Sequence, residues 1–287
     1  MEVGDTVSLE KLENLLANAE KEKYAVGAFS IANMEMIIGA VKAAEELNAP
    51  IILQIAEARL KHSPLKLIGP VMIAAAKDAK VPVAVHLDHG LTMDCIKEAL
   101  NLGFTSVMID GSKHSLEDNI KLTKDVITEA KKYGASVEAE IGRVGGSEDG
   151  SEDISALYTN TEDAKRFYKE TGVNALAIGI GNAHGVYKGS PNLNFDVLKD
   201  VDKNADVPLV LHGGSGISDD DFRKCVTLGM RKINIATATF MSVANNVKML
   251  CDKSKTVDYF KLHEAEIEGA YLNVKRHIKI FGTENKA

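Results

Sequence analysis

Cysteine is scarce in this chain, and its three copies, Cys95, Cys225 and Cys251, stand far apart. An odd number at wide spacing, with no C-x-x-C pair, suggests neither a disulfide framework nor a thiolate zinc site, so they read as core thiols. Surplus positive charge is also missing: 41 acidic side chains face 34 Lys and Arg, a net charge of −7 with neutral histidines. Without a basic cluster, nucleic acid and anionic membranes are not expected partners, which says nothing against small phosphorylated substrates. No stretch approaches the roughly 18 uninterrupted apolar residues of a membrane span. The opening Met-Glu-Val-Gly-Asp lacks the basic and apolar segments of a secretory signal, and a cytoplasmic location is expected. Low-complexity tracts are absent as well, and 45% hydrophobic with 26% charged residues over 287 positions belongs to a globular chain with a sizeable core.

What is present is a repeated alternation. Apolar runs rich in Val, Ile and Ala recur at Tyr24–Phe29, Ile51–Ile55, Val83–Leu87, Ser106–Ile109, Ser136–Ile141, Ala175–Ile180, Leu209–Leu211 and Lys232–Ile235. Between them lie segments with apolar residues at helical spacing: Met34–Leu47, Leu65–Lys77, Met93–Leu102, Leu116–Tyr133, Thr161–Gly172, Asp219–Leu228 and Phe240–Cys251. Short strands with little polar alternation suit a parallel sheet covered on both faces. Eight βα units without an evident boundary predict an α/β fold, a single (β/α)8 TIM barrel over residues 1–287 with an extra N-terminal helix near Leu9–Lys21. Pro50, Pro82 and Pro208 stand just before strands, and Gly103, Gly134, Gly172 and Gly229 follow helical segments as C-caps do. The stretch Gly142–Asn160, rich in Gly, Ser and acids, reads as a long irregular loop, either a surface loop or a functional one.

A barrel places its chemistry at the C-terminal ends of its strands. The third run ends His86-Leu87-Asp88-His89-Gly90, the sixth leads into Gly181-Asn182-Ala183-His184-Gly185, and the seventh ends in His212-Gly213-Gly214-Ser215-Gly216. One strand-end histidine is commonly just a satisfied polar group. Three at matching positions, His89, His184 and His212, make a zinc-type site with an open position, although cobalt or iron could take the same ligands. Asp88, beside His89, is read as a proton donor or acceptor to substrate, the alternative being a residue that orients a histidine. Asp110 and Glu140 end strands four and five and could bind a metal at a second position or orient the ligands. Glu138 reads as a lower-layer charge paired with a lysine or arginine such as Arg143. The loops Gly213–Ser215 and Asn234–Thr237 follow strands seven and eight, where barrels commonly hold a phosphate, with glycine backbone and the Ser215 and Thr237 hydroxyls as donors.

Six ordered motifs carry a family resemblance: HLDHG at His86–Gly90, VEAEIGRVGG at Val137–Gly146, SALYTNTEDA at Ser155–Ala164, AHGVYKG within Gly181–Gly189, HGGSGI at His212–Ile217 and KINIAT at Lys232–Thr237. Together they resemble the class II, metal-dependent ketose-bisphosphate aldolases, which include fructose- and tagatose-bisphosphate aldolases. The resemblance implies reversible cleavage of a ketose 1,6-bisphosphate to dihydroxyacetone phosphate and glyceraldehyde 3-phosphate through a zinc-stabilised enediolate. It implies His89, His184 and His212 as zinc ligands, with Asp110 and Glu140 at a second metal position. Asp88 matches the proton donor at the C4 oxygen, and Glu148, on the glycine-rich loop, the residue that moves protons at C3. Gly185, Gly213, Gly214, Ser215, Asn234, Ile235, Ala236 and Thr237 match the phosphate and dihydroxyacetone contacts, where a monovalent cation, Na+ or K+, also sits. Homodimers or homotetramers are the family's assemblies.

Three departures bear on the sugar. Ala56 stands where the family usually offers Ser or Thr; Ala236 stands where fructose-bisphosphate enzymes have Asp or Asn, and resembles the tagatose branch; Ala238 replaces an acid. An aldolase for a related ketose phosphate, from inositol or sulfosugar breakdown, is the nearest alternative. A zinc-dependent barrel hydrolase and a non-enzymatic sugar-phosphate binder stand further off. A Schiff-base mechanism is disfavoured because Lys232 begins its strand at the wrong end of the barrel, although Lys113 lies at the rim.

Overall fold

Eight parallel strands close on themselves in sequence order: β1 (Val26–Ser30), β2 (Ile51–Ala56), β3 (Val83–Gly90), β4 (Ser106–Ile109), β5 (Ser136–Ile141), β6 (Ala175–Ile178), β7 (Leu209–Leu211) and β8 (Met230–Ile235), with β8 returning to β1. The computed structural model describes residues 8–146, 158–185, 187, 189, 191–253 and 256–287. Every residue of all eight strands is buried, as expected of a parallel sheet lined on one face by the barrel interior and on the other by helices.

Around the barrel run α2 (Met34–Glu46), α3 (Leu65–Asp78), α4 (Met93–Asn101), α5 (Leu116–Ala130), α6 (Thr161–Thr171), α7 (Phe195–Asn204), α8 (Asp219–Thr227), α9 (Thr237–Lys253) and α10 (Tyr259–Phe281), with α1 (Leu12–Glu22) ahead of β1. Local chemistry sets their ends. Asn33, Thr92, Ser115, Asn160 and Ser218 cap α2, α4, α5, α6 and α8 by accepting backbone N–H groups that have no partner inside the helix. All four glycines expected to end helical segments have positive φ. Two helices, α7 and α10, were not among the expected segments.

The N-terminal helix has a definite task. Leu12, Leu15, Leu16 and Ala19 of α1 pack with Val26, Ala28, Ile52, Ala84, Ala175, Ala177 and Val210, small inward residues at the lower end of the strands, and so plug the barrel floor. Just before α1, Ser8 and Glu10 pair with Val83 at the start of β3. None of the helices among the described residues is long and apolar enough to cross a membrane.

Candidate active site

β3 brings two consecutive side chains, Asp88 and His89, to the upper end of the barrel. A regular strand would send such neighbours to opposite faces. Here the β3–β4 register slips between Leu87 and Gly90, and His89 adopts a left-handed φ of 42°, so the alternation breaks where the chemistry needs it. His212 follows directly on β7. His184 comes six residues beyond β6, on a loop that pairs with the segment after β5: Gly145 N–H donates to the Asn182 carbonyl at 3.0 Å, and His184 N–H to the Gly145 carbonyl at 2.7 Å. Asn182 is fully buried and donates its amide to the His212 carbonyl at 2.8 Å. The Tyr187 hydroxyl accepts from Ala183 N–H and donates to the Gly213 carbonyl at 3.0 Å. Composition singled out neither Asn182 nor Tyr187, yet they fix the distance between the His184 and His212 loops.

The three imidazoles converge as expected. Ring centroids lie 4.5 Å apart for His89 and His212, 4.9 Å for His89 and His184, and 6.0 Å for His184 and His212. His89 Nε2 faces His212 Nδ1 at 2.7 Å, while the far nitrogen of each ring meets a carboxylate: His89 Nδ1 lies 2.9 Å from Asp110 and His212 Nε2 lies 2.8 Å from Glu138. Imidazoles turned towards one point with carboxylates behind them have the donor chemistry that divalent metals take, so the residues fit zinc. A second group, His89, Asp110 and Glu140, shares one histidine with the first.

The carboxyls around this cluster differ sharply. Burial works against the Asp110 charge, but the hydrogen bond and charge of His89, with two bonds from Ser112, hold its carboxyl well below the usual range. Burial and the neighbouring Asp110 charge push Glu140 up to about 7. One Glu140 oxygen accepts from Val144 N–H at 3.1 Å, and the other has no hydrogen-bond partner among the described residues, which suits a group left to meet a cation. Asp88 is buried and accepts from the Gln54 amide at 3.2 Å and the Asn234 amide at 3.0 Å.

Beside the histidines lies a small recess lined by His184, Gly185, Gly213, Gly214, Ser215, Asn234, Ala236 and Thr237. Gly213 has φ of 62°, and a Cβ there would meet the Ala183 carbonyl oxygen at 2.2 Å, so only glycine brings these two loops together. α9 opens at Thr237 with no acid in its first turn, and its N-terminal N–H groups add positive potential. Ser215 Oγ accepts from Ala238 N–H, linking the two loops. The Ile235 side chain instead packs into the apolar core.

Glu138 pairs with a lysine as expected, Lys232 at 2.8 Å, and it also backs His212. Two expectations are corrected: Cys251 on α9 is exposed and not a core thiol, and Lys232 does not stand at the wrong end of the barrel. Lys232 is the third residue of β8 and fully buried inside the barrel, where the register of a strand beginning at Met230 carries it upwards. Glu148 lies outside the described residues.

The family model for class II fructose-bisphosphate aldolase matches residues 10–286. A sulfofructosephosphate aldolase of Alkalicoccus urumqiensis is 39% identical, with 96% of this chain and 97% of that protein covered. A fructose-bisphosphate aldolase of Staphylococcus aureus is 38% identical, over 97% of this chain and 99% of the other. Among solved structures, the YdjI aldolase of Escherichia coli K12 superposes with a TM-score of 0.88 at 34% identity, covering 97% of this chain and 99% of that one. With the barrel, the histidine cluster and these matches over nearly all its length, the chain belongs to the class II fructose-bisphosphate aldolase family.

Proposed function

We propose that the whole chain forms one barrel domain that reversibly cleaves a ketose 1,6-bisphosphate, tagatose or fructose 1,6-bisphosphate, to dihydroxyacetone phosphate and glyceraldehyde 3-phosphate, with zinc at His89, His184 and His212. The observation that carries this reading is the pair of carboxylate-backed imidazole nitrogens facing each other at 2.7 Å beside both Asp88 and the glycine recess. A divalent ion bound there supplies Lewis-acid charge to the C2 oxygen where negative charge develops as the C3–C4 bond breaks. Asp88, aimed by Gln54 and Asn234, moves the proton at the C4 oxygen. Gly185, the Gly213–Ser215 segment and the start of α9 receive the phosphate of the dihydroxyacetone half, with Na+ or K+ as counterion. Asp110 and Glu140 hold or approach the second metal position. Glu148 moves the proton at C3.

The sugar is set at the other end. Ala56 lies opposite Asp88 in the β2–β3 register and offers no hydroxyl there. Arg59, three residues further on, stacks over the Phe240 ring at the start of α9, 5.5 Å from its centroid. The distal anionic group is phosphate in the bisphosphates or sulfonate in a sulfofructose phosphate. Being a cytoplasmic metabolic enzyme follows from the same reading. A homodimer or homotetramer is supported by exposed Met34 and Ile38 on α2, Met241 and Met249 on α9, and Tyr259, Phe260 and Leu272 on α10.

A coupled cleavage assay of zinc-loaded protein on fructose and tagatose 1,6-bisphosphates and 6-sulfofructose 1-phosphate, with a chelator-stripped control, tests this directly. Metal-dependent turnover is expected, and the ratios of kcat/KM identify the sugar. No cleavage of any of the three with zinc bound would overturn the proposal. His89→Ala should lose both zinc and more than about 100-fold in turnover, and a metal-free variant with near-normal turnover would refute the metal mechanism. Glu148→Ala should keep its zinc yet slow C3 proton exchange of dihydroxyacetone phosphate by about 100-fold or more; unchanged exchange would remove its role.

A further inference from the structure

Barrel interiors are normally filled by branched apolar residues. This one carries a lysine. Lys232 on β8 has no solvent exposure, and its Nζ lies 2.8 Å from Glu138 Oε2 and 2.8 Å from Asn234 Oδ1. Removing an ammonium and a carboxylate from water is costly, and a packed apolar pair of similar volume would serve the fold as well or better. The pair therefore calls for a reason beyond holding the barrel together, and its two arms supply one.

Along the first arm, Glu138 Oε2 faces Lys232 while Oε1 meets His212 Nε2 at 2.8 Å. A carboxylate offers only acceptors, so Nε2 carries the proton and Nδ1 keeps its lone pair towards His89 and His184. Along the second arm, an ammonium offers only donors, so Lys232 must bind the oxygen of the Asn234 amide. That leaves Asn234 Nδ2 pointing at Asp88 Oδ1, 3.0 Å away. Without the lysine, the amide could turn over and present an oxygen to the Asp88 carboxylate. His86 braces the layer from the far side, bonded to Ser106 Oγ at 2.8 Å with its other nitrogen 3.6 Å from Glu138.

We propose that Lys232 is a positioning residue that sets two groups at the upper end of the barrel at once: His212 through Glu138, and Asp88 through Asn234. The proposal rests on reading His89, His184 and His212 as metal ligands. It adds that one buried cation ties the geometry of the metal site to that of the proton-transfer group.

The test compares Lys232→Met with the double variant Glu138→Gln/Lys232→Met. Three properties are followed: melting of the metal-free protein, zinc affinity by competition with a chromophoric chelator, and the visible spectrum of the cobalt-substituted protein. The single variant leaves a buried carboxylate without its cation and should melt lower. The double variant has no charge to compensate and should recover its melting temperature. Its zinc affinity should nevertheless stay about ten- to a hundred-fold below wild type, with an altered cobalt spectrum, because nothing then fixes either amide. Turnover per bound zinc should fall through kcat with little change in KM. Recovery of wild-type affinity, spectrum and turnover in the double variant would overturn the proposal by reducing Lys232 to charge compensation. A wild-type protein that takes up neither zinc nor cobalt would instead overturn the metal reading beneath it. If neither variant folds, NMR of isotope-labelled histidines in the zinc-loaded wild type decides: His212 should carry its proton on Nε2, and a proton on Nδ1 refutes the proposal.

Discussion

At the scale of single residues, burial governs the behaviour of titrating groups well away from the site. His277 on α10 is buried among the rings of Phe29, Phe222 and Phe281, its Nδ1 bonded to the Asn273 carbonyl at 2.8 Å. Desolvation first, with the Arg276 charge acting the same way and Asp219 opposing, brings its pKa down to about 4. The unfolded chain then binds a proton below pH 6.5 that the folded one refuses, so the stability held above that pH is lost as the pH falls towards 4. Between pH 7 and 5 this amounts to about 2 kcal/mol. Glu140, raised to about 7, acts in the opposite sense, losing stability as the pH rises towards neutrality. The readout is therefore the difference between wild type and His277→Gln in urea midpoints of metal-free protein at the two pH values. A flatter pH dependence in the variant is expected, and parallel curves would contradict it. At this scale the three clustered histidines were legible, because each stands beside a glycine at or shortly after a strand end. The roles of Glu138 and Lys232 were not, since a charge inside a strand reveals neither its depth in the barrel nor its partner on another strand.

At the scale of elements, α10 decides how the barrel is clasped. It packs on α2, α9 and β1, and the chain after it returns to the sheet, where Thr283 Oγ donates to the Ala25 carbonyl at 2.7 Å. Two glycines permit the close crossings: a Cβ on Gly39 of α2 would meet the Ile267 carbonyl oxygen at 2.4 Å, and one on Gly269 of α10 would meet Val243 Cα at 2.6 Å. Alanine normally favours a helix interior over glycine by about 1 kcal/mol. Here Gly39→Ala should instead destabilise by about 1–3 kcal/mol, because the obstructing atoms are helix backbone. Chemical denaturation of the variant checks this, and a stabilised protein would show that the two helices separate freely. The helix escaped periodicity because its buried stripe includes Gly269, Asn273 and His277, which do not register as apolar. α7 escaped because it is short and acid-rich, with only Leu198 and Val201 buried; its one local signal is the Asn194 cap, which accepts from Asp196 and Val197 N–H.

For the whole molecule, the βα rhythm dictated the architecture. Uniformly apolar runs can be buried only in a sheet covered on both faces, and eight of them in sequence order close into a ring. The ring then gives the strand-end residues a common mouth, so the motifs at the third, sixth and seventh strands read as one site from sequence alone. Tertiary structure alone decided the layer beneath that mouth. Asp88 and Asn234 are separated by 146 positions and His89 and His212 by 123, and each pair meets only once the strands have closed with a particular stagger. Local sequence carries element type and strand-end chemistry, because these depend on residues a few positions apart. The partner of a buried charge depends on barrel register, which the packing of all eight strands determines together.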